Sequence, residues 1–401
     1  MMARRKPLVV LLGLMTTMPV GGVIWQTLHY LIGLQRLGFD VHYAEDHGVF
    51  PAMLADTFAA EDPDGARRAA DFLQRTLEEF NLGDAWSYHS WQGSERSFGR
   101  TRPEYVHLLS EAALVINLHG GTLPREEYPS DRLIYLETDP VAPEIELHDR
   151  VRATEEFLDA HVAHFSFGEN LGAPDCGVPV PPPRYRFHAT RQPVVLELWQ
   201  AAEPAKESVF TTIANWKQEE RRVKFKGEIY HWSKHREFMK FLDLPCRSEQ
   251  VFELALSSLA TEDRRMLEAH GWRVREALDF SRKAEAYRDY IMSSRGEWTV
   301  AKDQNVRLRS GWFSDRSATY LAAGRPVVMQ DTGFSNILPT DAGLFAFSSM
   351  EETLDALARI QSDYAAHSNA AREIAREFFS HDVVLPKLLR TAGISLPGTS
   401  A

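Results

Sequence analysis

From Leu8 the chain carries an uninterrupted apolar run, LVVLLGLM, in which no polar side chain alternates. So short and uniform a run reads as a strand buried on both faces of a parallel sheet. After the loop TTMPVGG, Ile24, Leu28, Leu31, Ile32 and Leu34 recur near helical spacing, with Gly38 as a stop signal. FDVHYAE then reads as a second strand. Strand, helix, strand is the opening unit of a doubly wound domain. Strand-like runs continue at AALVINLHGG (112–121), RLIYLETDP (132–140) and HVAHFSFGEN (161–170). The charged, helix-rich stretch 62–80 reads as a surface excursion, and no repeat of solenoid period is visible.

Residues 178–193, VPVPPPRYRFHATRQP, carry too much proline for a regular helix or a central strand, and mark a domain boundary. The pattern then restarts. SVFTTIANW (208–216) is a new first strand, followed by VFELALSSL, GWRVREAL, EWTVAKD, RPVVMQD and GLFAFSS with helical segments between. From about Ser362 onward the pattern is helical. The expected fold is α/β: two Rossmann-like doubly wound domains, 1–190 and 191–401, facing across a cleft.

A length of 401 residues suits two domains, and 44% hydrophobic with 25% charged residues is a globular composition. The net charge of −11 argues against a nucleic-acid partner, which calls for a basic face. A small anion needs only a local basic pocket. Residues 295–325 offer one, through Arg295, Lys302, Arg307, Arg309, Arg316 and Arg325. Two cysteines, Cys176 and Cys246, build no disulfide framework or cysteine zinc site and fit a reducing compartment. Arg4, Arg5 and Lys6 before the first apolar run are reminiscent of a signal peptide. No small-x-small cleavage site follows, however, and the run is far shorter than the roughly 20 residues that span a bilayer. The expectation is a cytoplasmic protein. Asp62 and Asp64, around Pro63, form a D-x-D that reads as a helix start and not as metal ligands, because no apolar strand precedes it. No metal site is expected.

The stretch SGWFSDRSATYLAAGRPVVMQDTG, 310–333, carries the most chemistry. Gly311 begins a turn. Ser314 or Asp315 caps a helix that stops at Gly324, and PVVMQ is a strand ending at Asp331, Thr332 and Gly333. A helix N-terminus offers free N–H groups and partial positive charge, which suit a diphosphate, and Arg316 would add a bidentate partner. Ligands of open parallel sheets bind beyond the carboxyl ends of the strands. On that rule His119, beside Gly120 and Gly121, and Glu137 and Asp139, at the end of LIYLETDP, are candidates for a base or for the group that positions one. Glu169 and Asn170 end another strand and are candidates for orienting hydroxyls.

The run ATYLAAGRPVV followed by a glycine-bearing loop is similar to the nucleotide-binding signature of GT-B glycosyltransferases, in which a helix ending A-x-G-x-P-V-V precedes a strand. Ser294, Arg295, Gly296 and Glu297 resemble the S-x-x-E segment of the retaining branch. Gly21 and Gly22 ahead of a helix, then LGFDV, are similar to the opening of the same fold. The resemblance spans both domains in architecture, and its motifs are specific in the C-terminal half. It implies a C-terminal donor domain, with Ser314, Arg316, Ser317, Asp331, Thr332 and Gly333 at the nucleotide-sugar. Lys234, closing the basic segment 215–234, stands where that family often places a phosphate-binding residue. The N-terminal domain would hold the acceptor near Gly21, Gly22, His119 and Asp139, with Glu297 a displaced counterpart of the retaining branch's first glutamate. That branch carries glutamates where this chain has Gly311 and Thr319, while Gly311 and Trp312, with Ser310, resemble the inverting plant-type branch. Stereochemistry stays open. The implied activity is transfer of a sugar from a nucleoside diphosphate to a hydroxyl, the nucleotide-sugar being substrate and no cofactor being needed. Two rivals remain: a nucleotide-sugar epimerase on the same fold, and a non-catalytic sugar-nucleotide-binding partner protein.

Overall fold

A computed structural model of the chain describes residues 5–54, 64–91, 96–200 and 208–398. The opening apolar run is β1 (Leu8–Leu12), a central strand paired in parallel with β2 (Asp40–Glu45) and β5 (Leu114–Leu118). Its alternate side chains serve two cores: Val9 and Leu11 face one, and Val10 and Leu12 the other. This is why no polar residue interrupts it. Around it lie β3 (Trp86–Ser90), β4 (Arg96–Phe98), β6 (Leu133–Glu137), β7 (Ala163–Ser166) and β8 (Phe187–Ala189), in the order β4-β3-β2-β1-β5-β6-β7-β8. Only β4 runs antiparallel.

The second sheet comprises β9 (Val209–Asn215), β12 (Val251–Ser257), β13 (Arg273–Glu276), β14 (Gly296–Thr299), β15 (Val327–Gln330) and β16 (Leu344–Phe347), all parallel. A hairpin of β10 (Val223–Phe225) and β11 (Glu228–Tyr230) stands apart. Its order, β13-β12-β9-β14-β15-β16, is the 3-2-1-4-5-6 order of a Rossmann sheet, and β3-β2-β1-β5-β6-β7 repeats it in the first. The fold is therefore the expected α/β pair of Rossmann-like sheets, with strand order reversing between β1 and β5 and between β9 and β14.

Three local readings change. The stretch after residue 62 is no excursion. The helix Gly65–Glu78 is the crossover between β2 and β3, and Ala69, Phe72, Leu73 and Leu77 are buried in the main core. Its charged residues occupy the opposite face and conceal the apolar stripe. Asp64 directly precedes this helix, as a helix start should, while Asp62 and Pro63 lie outside the described residues. The proline-rich stretch also contributes a strand, β8, but a three-residue one at the sheet edge, where proline nearby does no harm. Gly21 and Gly22 belong to the first turn of the helix Gly21–Arg36, not to a loop.

One apolar core runs through both halves. The helix Gly21–Arg36 packs on the helix Ala284–Ser293, and Trp25 donates its indole N–H to the Ala284 carbonyl at 2.8 Å. The last helix, His381–Thr391, crosses back to lie on Gly21–Arg36, where Gly33 makes room for Leu385 and His381. Among the described residues, no helix is long and apolar enough to cross a membrane. Cys176 is half-buried, Cys246 is exposed, and both are free thiols.

Candidate functional site

The carboxyl ends of the two sheets face each other, and the backbone is strained there. His119, just beyond β5, has φ +66°, and Val141, four residues beyond β6, has φ +104°. Arg309, on the facing half, has φ +48°. For a β-branched residue such as Val141 this is a true outlier, costing on the order of 1–3 kcal/mol. Its backbone N–H donates to Glu144 Oε2 at 2.7 Å, which holds the turn. Glu144 and Glu137 are both fully buried, and an oxygen of each lacks any other partner. Burial, and then Glu144 beside it, push the Glu137 carboxyl well above its usual range. Burial raises the Glu144 carboxyl as well. Glu137 also accepts from Ser166 Oγ at 2.5 Å, and that hydroxyl accepts from the Gly168 N–H at 2.9 Å. The ends of β6 and β7 are thereby tied into one rigid rim.

Asp139 rides on this rim and meets Lys302, at the end of β14, in an ion pair across the cleft. Burial raises the Asp139 carboxyl, against the pull of Lys302, Arg221 and Lys234. All three cations come from the second half of the chain. The Lys302 ammonium sits over the Trp232 ring, 3.1 Å from its centroid, with Arg221 at 5.0 Å from the same ring. Trp312 lies against both lysines, with Lys234 Nζ 5.6 Å and Lys302 Nζ 5.8 Å from its ring, and donates its own N–H to the Thr138 carbonyl at 3.0 Å. Lys234 retains only 9% of its surface and forms no ion pair among the described residues, although the charges of Glu297 and Asp315 act on it. Burial, then Arg316 and Lys302 nearby, lowers its pKa well below the usual lysine value. Removing an ammonium from water costs several kcal/mol, and a desolvated cation–π contact returns about 2 or more. A bound anion would favour the charged form of Lys234.

The residues expected around the helix Asp315–Ala322 do other work. Arg316 is buried: Nε donates to Glu297 at 2.5 Å, and the other nitrogens to the Ile213 carbonyl at 2.6 Å and Thr299 Oγ1 at 3.1 Å. A guanidinium so committed inside the sheet does not grip a phosphate, and Glu297, fully buried as its counterion, does not reach a reacting group. Ser314 and Ser317 are buried as well, Ser317 donating to the Met329 sulfur. The anion position of that helix N-terminus is taken by Asp315, whose carboxylate is held by the N–H groups of Asp315 and Arg316. Gly21 lacks a Cβ because the Tyr287 ring occupies that space, and Gly22 faces the Asp315 carboxylate. These glycines serve packing between the halves.

Asp331, Thr332 and Gly333 form part of the joint. Asp331 accepts from the Gly333 N–H at 2.9 Å and pairs with Arg309 at 3.0 Å, while Thr332 donates to the Trp312 carbonyl at 2.6 Å. Asn170 closes the joint from the other half. Its N–H donates to the Ser310 carbonyl, and its side chain donates to the Arg309 carbonyl and accepts from Asn336. Gly311, at φ +80°, leaves no space for a Cβ beside Asn170. Glu169 pairs with Arg191.

His119 lies just beyond the end of β5. Its Nδ1 is 2.8 Å from Thr138 Oγ1, its buried Nε2 has no hydrogen-bond partner among the described residues, and burial lowers its pKa to about 4. The basic stretch 295–325 is not one surface: Arg295, Arg307, Arg309 and Arg325 bond to Gln361, Glu228, Asp175 and the Met292 carbonyl respectively, and Lys302 faces Asp139. The pairing of Lys302 with Asp139 and its two tryptophan partners escaped the sequence reading. The usable signal was its place directly after the strand EWTVA. Also unread was Glu45, which ends β2 and accepts from Tyr43 at 2.6 Å, His47 at 2.8 Å and the Thr16 N–H at 2.9 Å.

No protein-family model and no curated protein matches the chain. Solved structures do. An alpha-glucosyltransferase in complex with UDP and a 13-mer DNA aligns over 96% of this chain and 99% of its own, with TM-score 0.59 and 10% identity. AviGT4, a glycosyltransferase involved in avilamycin A biosynthesis, aligns over 98% and 99%, with TM-score 0.53 and 13% identity. Anabaena HepE in complex with UDP and glucose aligns over 97% and 100%, with TM-score 0.54 and 12% identity. At such identities the likeness is one of fold: this chain has the GT-B glycosyltransferase fold. The DNA in one of these complexes gives no support to excluding nucleic acid on net charge.

Two measurements check the site's framework. Arg316→Ala leaves Glu297 buried without its counterion and should cost about 3–5 kcal/mol of stability. An unchanged melting temperature would remove that pair from the account. Glu137 carries a proton in the folded state that the unfolded chain releases above about pH 4.5. It therefore contributes stability below that pH which is lost as pH rises toward its raised value. Glu137→Gln mimics the protonated form, so its melting temperature should fall less than wild type's between pH 5 and 8; parallel curves would contradict the raised Glu137 carboxyl.

Proposed function

We propose that this GT-B-fold chain transfers a sugar from a nucleoside-diphosphate donor to a hydroxyl on a small-molecule or glycan acceptor. The observation that carries the reading is Lys234: a buried lysine that forms no ion pair with a carboxylate among the described residues, beside Lys302, where the carboxyl ends of two Rossmann-like sheets meet. The donor's diphosphate is an anion that fits this arrangement. Lys234 and Lys302, with Arg221 at the rim, neutralise the charge that builds on the leaving diphosphate. In a site walled by Trp232 and Trp312 that charge interacts more strongly than in water. The reading moves the donor's phosphates away from Ser314, Arg316 and Ser317 and onto the two lysines.

The first half supplies the acceptor side. His119 and Asp139 stand on adjacent strand ends, β5 and β6, with Thr138 between them. A positioned base that takes the hydroxyl proton contributes about 10²–10⁴-fold. The solved neighbours that contain UDP support a nucleotide-sugar donor in general, and acceptor and stereochemical course are left to experiment. The reading places the reaction in a reducing, cytoplasmic setting, in keeping with two free thiols.

Thermal-shift screening against UDP, GDP, TDP, ADP and CMP tests this reading. One nucleoside diphosphate at about 100 Kd should stabilise the wild type by roughly 2.7 kcal/mol. Lys234→Met should abolish that response and lower kcat/KM for transfer by about 10²–10³-fold. A variant that binds and turns over like wild type would refute the assignment.

A further inference from the structure

Asp139 is a carboxylate of the first half placed against Lys302, Lys234 and Arg221 of the second. The other acids nearby are engaged: Glu297 with Arg316, and Asp315 with the N-terminus of its own helix. Asp139 has one oxygen on Lys302, while the other, Oδ1, is buried and without a partner. The turn that carries it is rigid, held by the Val141 N–H on Glu144 and by the Gln304 side chain on the Pro140 carbonyl. Lys302 is held differently. Its ammonium rests on the face of Trp232, and such a face tolerates sliding where a hydrogen-bonded cage does not.

Resting on the donor reading above, we infer that Asp139 is an internal counter-anion. It holds Lys302 before a donor binds, and an incoming diphosphate takes Lys302 and releases Asp139 as the base. A diphosphate brings more charge and more acceptor oxygens than one carboxylate, so it wins the ammonium. Once Lys302 has turned away, Asp139 is a buried carboxylate that has lost its nearest counter-charge, which makes it a stronger base. The step then balances. The acceptor hydroxyl's proton passes to an Asp139 oxygen and the acceptor oxygen bonds to the anomeric carbon. The bond from that carbon to the diphosphate oxygen breaks, its electron pair leaving with the diphosphate held by Lys302 and Lys234. The device couples acceptor activation to donor occupancy, so that no base is exposed to water before a donor is present.

The coupling predicts an effect opposite in sign to ordinary damage. With inorganic pyrophosphate as probe in titration calorimetry, Asp139→Asn should bind roughly tenfold more tightly than wild type, because Lys302 is no longer occupied. Asp139→Ser should do the same, and Lys302→Met should bind at least about tenfold more weakly. Melting temperatures of the ligand-free proteins establish that each variant is folded. If wild type binds pyrophosphate and both Asp139 variants bind it equally or more weakly, the counter-anion role is wrong, while the donor site stands. If neither wild type nor any variant binds pyrophosphate, the donor reading itself fails and takes this inference with it.

Discussion

Charge has to be balanced where the two sheets meet. Lys234, Lys302 and Arg221 converge from one half, and Asp139 is the carboxylate that answers them from the other. Burying ammonium groups is costly, and the walls that do it, Trp232 and Trp312, recover only part of that cost. The neighbouring elements follow from this constraint. The strained turn at Val141 carries Asp139, and burial raises the Glu137 and Glu144 carboxyls that lie beside it. Thr332 fixes the backbone of Trp312, whose indole reaches across to Thr138.

The two halves are joined in two different ways. On one side an apolar layer, made by the helices Gly21–Arg36, Ala284–Ser293 and His381–Thr391, forms a continuous core. On the cleft side the contacts are polar and specific: Asn170 against Ser310, Arg309 and Asn336, and Asp139 against Lys302. Apolar burial holds the halves together without fixing a distance, whereas the polar joint rearranges bond by bond. A ligand that exchanges partners at the cleft leaves the shared core intact, which is the arrangement that opening and closing motions in such folds require.

Much of the architecture was legible because it rests on period and burial. The apolar run of β1 and the strand–helix alternation after it follow from faces that must be covered. The site was less legible. Arg316 carried the right charge in the right motif, yet its direction is decided by Glu297, nineteen positions upstream, which only the pairing of β9, β14 and β15 brings beside it. The resemblance places Gly21 near the acceptor, whereas Tyr287, more than 250 positions away, is what fills the space of its missing Cβ. Lys302 was visible as one cation in a basic stretch, but its neighbours in sequence bond elsewhere and its own partner belongs to the other sheet. The helix Gly65–Glu78 was misjudged for a local reason: charges on one face obscured the stripe on the other.

The central claim is that the donor's phosphates lie between Lys234 and Lys302. A crystal structure of the protein with the nucleoside diphosphate that stabilises it most tests this directly. The account predicts phosphate oxygens within hydrogen-bond distance of both ammonium groups, with Lys302 turned off Asp139 and Arg316 still on Glu297. Phosphates seated at residues 314–317, with Arg316 released to meet them and Lys302 still on Asp139, would contradict it.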